Sequence, residues 1–340
     1  FWSLNRNKRS MVLDTRSEEG KQVVLALVRR VDVVISNFRP GVMERMGFGY
    51  QTLSEINPRL IWAQGTGFGE SGPYQHKGGQ DILAQAYTGV MYRRPDPTED
   101  FRVYATTMGD FSAGMHLVQG VLLALLARER TGRGQRVEVS LYDSMLSAQM
   151  QEACMQLNRG FEVNWGAMPL SGVFPTTDGA VCMVGAFKDN PLQDISLALD
   201  LDEDLSERPE FATPELQMKA RSTLQGIFRE RFATNSTDYW MARLESQDLL
   251  CAPVRSLAEA LVDDQTAANG MVIDIGTNAQ GSAMRAVASP VHLSDTPARV
   301  RRPPPRLGEH TDQILAEFLG DSGRHHGADA TGRALGAVPR

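Results

Sequence analysis

The sequence has few cysteines, no basic excess and no long apolar run, and each shortage argues against a class of protein. The three cysteines, Cys154, Cys182 and Cys251, are far apart and lack metal-ligand spacing, so we expect reduced, buried thiols in a cytoplasmic protein. A formal net charge of −6, with scattered basic residues, argues against nucleic-acid binding. The longest apolar run, 118–127, is shorter than a membrane span, so we expect no membrane association.

The chain also lacks an initiator methionine and a signal-peptide pattern. Phe1 and Trp2 are followed within a few residues by a basic stretch, so we expect that this sequence begins inside a domain. A length of 340 residues exceeds what one core usually supports, about 250–300 residues, and predicts two domains. The composition, 42% hydrophobic and 22% charged, is ordinary for a globular protein.

Helical and strand patterns alternate in the first half of the chain. An amphipathic stretch over 17–30 begins with acidic and ends with basic residues, which predicts a helix. Apolar and β-branched stretches predict strands at 31–36, 60–64 and 136–140, and 117–130 is a long apolar helix. This alternation predicts a parallel sheet with helices on both faces.

The pattern changes near Pro169. Two short strands separated by Thr177-Asp178-Gly179 predict a hairpin, and several helices follow. The Pro-rich stretch 290–306 predicts extended chain, with a short helix at 310–319. The predicted α/β organisation is a parallel, nucleotide-binding-like large domain over 1–168, a small α+β domain over 169–274, a return to the large domain over 275–319 and a disordered tail over 320–340.

The stretch from Gly67 to Gly72 matches the G-x-G-x-x-G spacing of dinucleotide sites. Pro73 and Tyr74 follow where a helix should receive the pyrophosphate, and no acid ends the next strand. We therefore interpret these glycines as parts of a loop that needs positive φ. His116 is interpreted as a packed or surface residue of its helix.

Asp110 is the strongest single candidate for chemistry. It follows Gly109 and precedes Ala113 and Gly114, where a loop is predicted to meet the long helix. Aspartate is a favoured N-cap, so the N–H groups of the first turn could simply hold it. The small neighbours also leave room for a ligand, and the same N–H groups could stabilise charge on a molecule that Asp110 attacks. From the residues alone, capping and nucleophilic catalysis are equally supported.

Nine short phrases along the chain carry a family resemblance. They are LNRNKRS at 4–10, DVVISNFRPG at 32–41, GFGY at 47–50, NPRLI at 57–61, GFG at 67–69, GD at 109–110, TGRGQ at 131–135, PVHLS at 290–294 and RLGEHT at 306–311. In order and spacing they resemble the class III CoA-transferases, which include formyl-CoA, carnitine and bile-acid CoA-transferases. The resemblance extends from residue 1 to about residue 319.

The resemblance implies a large and a small domain in a homodimer whose subunits interlock. It implies that Asp110 is the nucleophile, that CoA and acyl-CoA are substrates, and that no metal or permanently bound cofactor is needed. Arginine suits CoA phosphates and Phe38 suits adenine. The implied CoA contacts are Leu13, Asp14, Thr15, Arg16, Asn37, Phe38, Arg39, Arg45, Lys77, Gly78, Gly79, Gln80 and Asp81. The family's first strand and helix, which supply further CoA contacts, precede Phe1.

The implied activity is transfer of CoA from an acyl-CoA donor to a carboxylic acid. Asp110 attacks the thioester to form an anhydride, and the released thiolate then forms an enzyme–CoA thioester, which the acceptor opens in reverse. An aspartate of ordinary pKa is ionised at neutral pH and needs no partner base. We expect N–H groups near Phe111 to Gly114 to hold the oxyanions.

Two alternatives and one substrate question remain at the level of sequence. The racemases of this superfamily use a Gly-His-Asp phrase, and here Gln80 replaces the histidine. Glutamine cannot exchange a proton, so a racemase-like isomerase is disfavoured. The presence of Asp110 disfavours a non-catalytic CoA-binding subunit. The stretch 184–190 stands where the formyl-CoA branch has a run of glycines, which argues against oxalate as the acceptor.

Overall fold

The computed structural model describes residues 1–278 and 280–319, which form two compact units. Of the described residues, unit 1 contains Phe1–Thr88, Tyr104–Ala148 and those of 261–319; unit 2 contains Gly89–Val103 and Gln149–Ala260. These limits differ from the predicted small domain at 169–274. Unit 2 also includes the helix before Pro169 and a segment before Tyr104, and it ends at Ala260. The predicted disordered tail, 320–340, lies outside the described residues.

Unit 1 is an α/β structure around a three-stranded parallel sheet. The strands are ordered β1-β2-β3, with Val33 opposite Ile61 and Trp62 opposite Arg136. The elements are α1 Glu18–Val28, β1 Val33–Ser36, α2 Val42–Arg45, α3 Tyr50–Ile56, β2 Ile61–Thr66, α4 Asp81–Tyr87, α5 Met108–Thr131, β3 Arg136–Ser140 and α6 Leu141–Ala148. The predicted strands and parallel sheet are confirmed, and the helix predicted at 117–130 begins at Met108.

Helices cover both faces of this sheet, as predicted. Trp62 points to one face, where it packs with Leu53 and other apolar residues of α1 and α3, and its indole nitrogen donates to the Phe48 carbonyl at 3.0 Å. Successive strand residues point to opposite faces, so Gly65 lies on the other face. There a Cβ on Gly65 would touch Leu117 of α5 at 4.0 Å. The carboxyl ends of the strands are therefore bordered by α5.

Unit 2 is built on an antiparallel sheet in the order β4-β5-β6. Its elements are α7 Met150–Arg159, β4 Ser171–Pro175, β5 Ala180–Val184, α8 Pro191–Ala198, α9 Pro214–Lys219, α10 Arg221–Phe232, α11 Thr237–Ser246 and β6 Leu250–Pro253. Phe174, Phe228, Phe232 and Trp240 are fully buried in its core. The predicted hairpin is confirmed, with Val173 opposite Cys182. Cys154 is exposed and Cys182 and Cys251 are only partly buried, so the expectation of buried cysteines is wrong for Cys154 and holds only in part for the other two.

The chain after unit 2 returns to unit 1. It contains α12 Leu257–Leu261 at the boundary, α13 Asp264–Ala268, the antiparallel pair β7 Val272–Thr277 and β8 Ala283–Val287, and α14 Thr311–Leu319. Between β8 and α14 the chain forms neither helix nor strand, as predicted for 290–306. The Asn7 side chain fastens this segment, because its Oδ1 accepts from the N–H groups of Arg301 and Arg302.

Helix α5 is long and apolar enough to cross a membrane by length and composition. It has 24 residues and a mean hydropathy of 1.4 over an 18-residue window, of which 11% is buried. The apolar run at 118–127 is itself too short to cross a membrane, but the helix extends past it at both ends, so the expectation of no membrane association stays a prediction. Length and composition by themselves do not show insertion into a membrane. The large exposed apolar side chains of α5 are Phe111, Met115, Val118, Leu122, Leu123 and Leu126.

Candidate active site

A cavity of about 580 Å³ opens beside Asp110 in unit 1. Its walls come from the carboxyl ends of β1 and β2, the loops that follow them, and one face of α5. Ligands bind at this edge of parallel sheets in many α/β proteins. The lining residues are Leu4, Asn37, Phe38, Arg39, Pro40, Gly65, Thr66, Gly67, Phe68, Gly69, Gln75, Lys77, Gly78, Gly79, Asp110, Ala113, Gly114, Leu117 and Leu141.

Asp110 is the third residue of α5 rather than its N-cap. The capping position is occupied by Thr107, whose side chain makes no capping hydrogen bond. Within the described residues, the Asp110 carboxylate has no hydrogen-bond or ion-pair partner. The interpretation of Asp110 as a helix cap is therefore wrong, and its carboxylate lines the cavity without a hydrogen-bond partner among the described residues.

Asp81 caps this helix in place of Asp110. Its Oδ1 accepts hydrogen bonds from the N–H groups of Gly109 at 2.5 Å and Asp110 at 3.1 Å. A Cβ on Gly109 would lie 2.9 Å from this oxygen, so glycine is needed there to admit Asp81 rather than a ligand. Phe111 donates its N–H to the Thr107 carbonyl at 3.0 Å, and the residues up to Gly114 lie inside the helix. The expectation that these N–H groups hold an oxyanion is wrong, because helical hydrogen bonds already use them.

The surroundings of Asp110 disfavour its charged form. Partial burial raises the pKa of the Asp110 carboxyl, and the nearby Asp81 carboxylate raises it further. The expectation that Asp110 has an ordinary pKa is therefore wrong, because its pKa is raised. A carboxylate destabilised in this way gains more by losing its charge in a covalent bond than an isolated carboxylate does.

The structure brings together about half of the predicted CoA contacts. Six of them line the cavity: Asn37, Phe38, Arg39, Lys77, Gly78 and Gly79. The others are outside its wall: Leu13, Asp14, Thr15, Arg16, Arg45, Gln80 and Asp81. The predicted CoA contact at Asp81 is corrected, since its carboxylate is buried and bound to the start of α5. The Asp14 carboxylate accepts from the Arg16 side chain at 3.1 Å in the turn before α1.

Two cationic side chains line the cavity with Asp110, within the described residues. The Arg39 guanidinium lies against Gly78, where an added Cβ would be 2.8 Å from its Nη2 atom. Phe38 is half exposed beside it. This pairing offers forked donors for phosphate oxygens and an apolar ring surface at one place.

The second cation, Lys77, is held by aromatic rings. Its ammonium lies 4.2 Å from the centre of the Tyr74 ring and donates to the Tyr87 hydroxyl at 2.6 Å. The Tyr87 hydrogen bond raises the pKa of Lys77. Phe68 packs edge-on against both tyrosines. These contacts keep a positive charge at a defined place beside the cavity.

The G-x-G-x-x-G stretch forms a loop, as interpreted from the sequence. Gly69 and Gly72 have φ of 92° and 86°, which disfavour residues with a side chain. Gly67 accepts the Tyr142 N–H on its carbonyl at 3.1 Å. The next helix, α4, begins only at Asp81. No helix N-terminus therefore follows the glycines directly, and the stretch lacks the geometry of a dinucleotide fingerprint.

Sequence reasoning noted Ala113 and Gly114 as small neighbours of Asp110 but missed Leu117, Leu4 and Leu141 as apolar residues of the cavity wall. Ala113, Gly114 and Leu117 follow Asp110 at helical spacing i+3, i+4 and i+7, and all three line the cavity. That periodicity was available as a signal once Asp110 was placed inside the helix. Leu4 and Leu141 come from distant parts of unit 1, and no local pattern marks them.

Comparisons with known proteins agree with this fold and site. The profile of CoA-transferase family III matches residues 1–311. An acyl-CoA transferase of Fusarium pseudograminearum is 36% identical, over 94% of this chain and 71% of that protein. A formyl-CoA:oxalate CoA-transferase of Streptomyces coelicolor is 33% identical, over 94% of this chain and 82% of that one. The crystal structure of a CAIB/BAIF family protein from Brucella suis superposes with a TM-score of 0.82, at 30% identity over 93% of this chain and 83% of that one.

These matches define an enzyme of the CoA-transferase class with a mixed α/β fold and a parallel sheet. The chain belongs to CoA-transferase family III. Enzymes of this family use coenzyme A thioesters as substrates. The resemblance inferred from the nine sequence phrases is confirmed.

Proposed function

We propose that this enzyme transfers CoA from an acyl-CoA donor to a carboxylic acid, with Asp110 as nucleophile. Asp110 attacks the thioester carbonyl, the C–S bond breaks, and an aspartyl anhydride and CoA thiolate result. The thiolate attacks the aspartyl carbonyl and releases the donor acid, which leaves an enzyme–CoA thioester. The acceptor carboxylate then reverses these two steps.

One observation carries this proposal: the unpartnered Asp110 carboxylate shares a cavity with Arg39 and Lys77. The cations suit the phosphates of CoA, and the carboxylate is accessible for attack. Asp110 needs no base to remove a proton once it is ionised. The apolar residues of α5 in the wall help to keep water from a bound anhydride.

Loop N–H groups can supply the oxyanion donors that α5 does not. Within the described residues, the N–H groups of Phe68, Gly78 and Gly79 make no hydrogen bond to the protein, and all three residues line the cavity. Preorganised backbone donors of this kind stabilise tetrahedral oxyanions strongly. We assign the oxyanion site to the loop between β2 and α4, which contains these three residues.

The enzyme is proposed to act as a homodimer, in which the exposed apolar face of α5 is covered by a second copy. Six large apolar side chains on one helix, each 49% to 69% exposed, exceed the scattered exposure of a monomer surface. Detergent-free ultracentrifugation tests this. A monodisperse dimer is expected, and a monomer that partitions into lipid vesicles contradicts it. A cytoplasmic location stays a prediction of the cysteine content.

Trapping identifies the nucleophile directly. The protein is incubated with acetyl-CoA, formyl-CoA or succinyl-CoA, quenched with hydroxylamine, digested and mapped by mass. We expect a hydroxamate at Asp110 in the wild type and none in Asp110→Ala. The matched control is Asp143→Asn, which changes an exposed acid of α6 outside the cavity wall and should leave the adduct in place.

The other outcomes separate the alternatives. Exchange of the α-proton of an acyl-CoA without acyl transfer would indicate a racemase-like isomerase. CoA binding without an adduct or exchange would indicate a non-catalytic CoA-binding subunit. Among acceptors, we expect oxalate to react poorly, because the loop after β5 has Gly185 as its one glycine between 184 and 190 and exposes Phe187.

A further inference from the structure

Two carboxylates meet at the start of α5 in different surroundings. Asp81 is buried, and its two oxygens accept three hydrogen bonds, from Gly109 N, Asp110 N and Gln85 Nε2, the last at 2.6 Å. Asp110 has no such partner among the described residues. Among the described residues, the Asp81 carboxylate therefore accepts three hydrogen bonds and the Asp110 carboxylate accepts none.

Gln85 fixes Asp81 in this position. The Gln85 side chain is fully buried, and its Oε1 accepts from the Tyr104 N–H at 3.0 Å. The chain from Tyr104 leads directly into α5. Asp81, Gln85 and the approach to α5 are thus joined by one hydrogen-bonded network, which holds the backbone of Asp110 from behind the cavity wall.

We propose that Asp81 is a positioning residue of the transfer reaction: it anchors the backbone of Asp110 and, by its negative charge, favours the covalent states of Asp110 over the free carboxylate. The inference rests on the proposed function. Asp81 is buried and does not line the cavity, so it acts through the backbone and charge of Asp110.

The electrostatic part follows from the charge balance of the reaction. Attack forms a C–O bond, breaks the C–S bond and transfers the negative charge of Asp110 to the CoA thiolate. Thiolate attack forms a C–S bond, breaks the anhydride C–O bond and releases the charge on the donor acid. Asp110 is neutral in both covalent states. A fixed anion beside it therefore destabilises only the free carboxylate.

Asp81 is the charged group bound to this end of α5, within the described residues. The titratable or charged groups on elements that pack around it, or in the cavity wall, are Asp81 and Tyr87 on α4, Tyr142 and Asp143 on α6, Arg136 and Glu138 on β3, His116, Arg128, Glu129 and Arg130 on α5, and Arg39 and Lys77 in the wall. Asp143 is turned to Ser140, whose hydroxyl donates to it at 2.7 Å. Lys77 is engaged by Tyr87.

The test is Asp81→Asn, which keeps an oxygen acceptor for α5 but removes the charge. The rate of enzyme–CoA thioester formation is measured against pH, and the adduct fraction is measured at a fixed ratio of acetyl-CoA to acetate. We expect the acid limb of the rate to move to lower pH, because the pKa of Asp110 falls when the anion is removed. The equilibrium constant for adduct formation should fall by about tenfold for each pH unit of that movement.

If Asp81 has only a structural role, the pH dependence of the rate in Asp81→Asn should differ from this expectation. Damage to the backbone anchor alone would lower the rate at every pH and leave the midpoint of the acid limb unmoved, and that result would overturn the electrostatic role. Wild-type values for rate, midpoint and adduct would overturn the proposal altogether. Asp143→Asn, which removes an acid from α6, should leave the midpoint unmoved. If wild type itself forms no adduct at Asp110, the proposed function fails, which is distinguishable from failure of this inference.

A second variant guards against misfolding of Asp81→Asn, whose new amide faces the Gln85 amide. Asp81→Ser removes the charge and places no amide N–H against the Gln85 amide, and its hydroxyl oxygen can accept from the N–H groups of α5. We expect this variant to fold and to have its acid limb at lower pH than wild type. An unmoved midpoint would again contradict the electrostatic role.

Discussion

Gly67 and Gly79 bring the two ends of the loop between β2 and α4 into backbone contact at the edge of the cavity. A Cβ atom on Gly67 would lie 2.3 Å from the Cα of Gly79, and one on Gly79 would lie 2.2 Å from the Cα of Gly67. Both distances are far inside van der Waals contact, and neither neighbour is a side chain that can rotate away. The two ends of this loop therefore keep their spacing only with glycine at both positions.

Gly67→Ala should separate the two ends of this loop and weaken CoA binding. We expect a loss of about tenfold or more in CoA affinity, because displacing aligned donors in a binding site costs on the order of 1.4 kcal/mol or more. Titration calorimetry measures it, with far-ultraviolet circular dichroism to confirm the fold. Gly226→Ala, on α10 with no atom within 4 Å of the new methyl group, is the matched control. Unchanged affinity in Gly67→Ala would show that the loop spacing does not shape the site.

Arg39→Ala should reduce CoA affinity by about 10- to 100-fold, because a charge-assisted hydrogen bond contributes about 1.5–3 kcal/mol. Measuring the affinity of both proteins for dephospho-CoA shows which phosphate group of CoA Arg39 contacts. If Arg39 binds the 3′-phosphate, the variant and the wild type should bind dephospho-CoA equally; if it binds the diphosphate, the loss should persist. Arg59→Ala is the control, since Arg59 is exposed and outside the cavity wall. Equal losses in both variants would indicate a general charge effect.

Gly134→Ala and Gly226→Ala should change stability in opposite directions. A methyl group on Gly134 would lie 1.9 Å from the Leu60 carbonyl oxygen, so we expect a loss of about 2–3 kcal/mol in the free energy of unfolding. Gly226 lies inside α10 with open space around it, and alanine there should add up to about 1 kcal/mol. Urea denaturation followed by circular dichroism gives both values. A stabilised Gly134→Ala variant would contradict the packing of the β3 approach against β2.

Asp110→Asn should stabilise the free protein at neutral pH. Burial, and then Asp81, raise the pKa of Asp110 in the folded state, so its ionised form costs stability above that pKa. The gain in the variant should appear as pH rises through the raised pKa and should vanish below the ordinary aspartate value of 3.8. Denaturant unfolding from pH 4 to pH 8 measures it. A gain that does not depend on pH would mean that charge is not the cause.

Asp178→Asn should change stability at neutral pH in the opposite direction to Asp110→Asn. The Thr237 N–H donates to Asp178 at 2.8 Å, and this bond is the main cause of its lowered pKa. A lowered pKa gives stability that is present above the ordinary value and is lost as pH falls through the folded one. The variant should therefore be less stable than wild type at neutral pH, with the difference shrinking in acid. Equal pH dependence in the two variants would contradict both assignments.

Local patterns predicted the elements well where one face of each element is buried. The strands at Val33–Ser36 and Arg136–Ser140 and the hairpin at Ser171–Val184 follow from apolar runs and turn residues, and the structure has them. The start of α5 was placed nine residues late, because Gly109, Ser112 and Gly114 weaken the apolar pattern there. Tertiary contact with Asp81 overrides that weakness.

The sequence by itself determined the parallel α/β organisation, membership of CoA-transferase family III, and Asp110 as the candidate nucleophile. Those conclusions rest on periodicity and short phrases, which are local properties of the chain. The tertiary structure decided what surrounds Asp110. The carboxylate that caps α5 comes from Asp81, 29 residues earlier than Asp110. Periodicity reports which residues are buried, whereas the choice of hydrogen-bond partner depends on which distant segments meet, and only the folded chain brings them together.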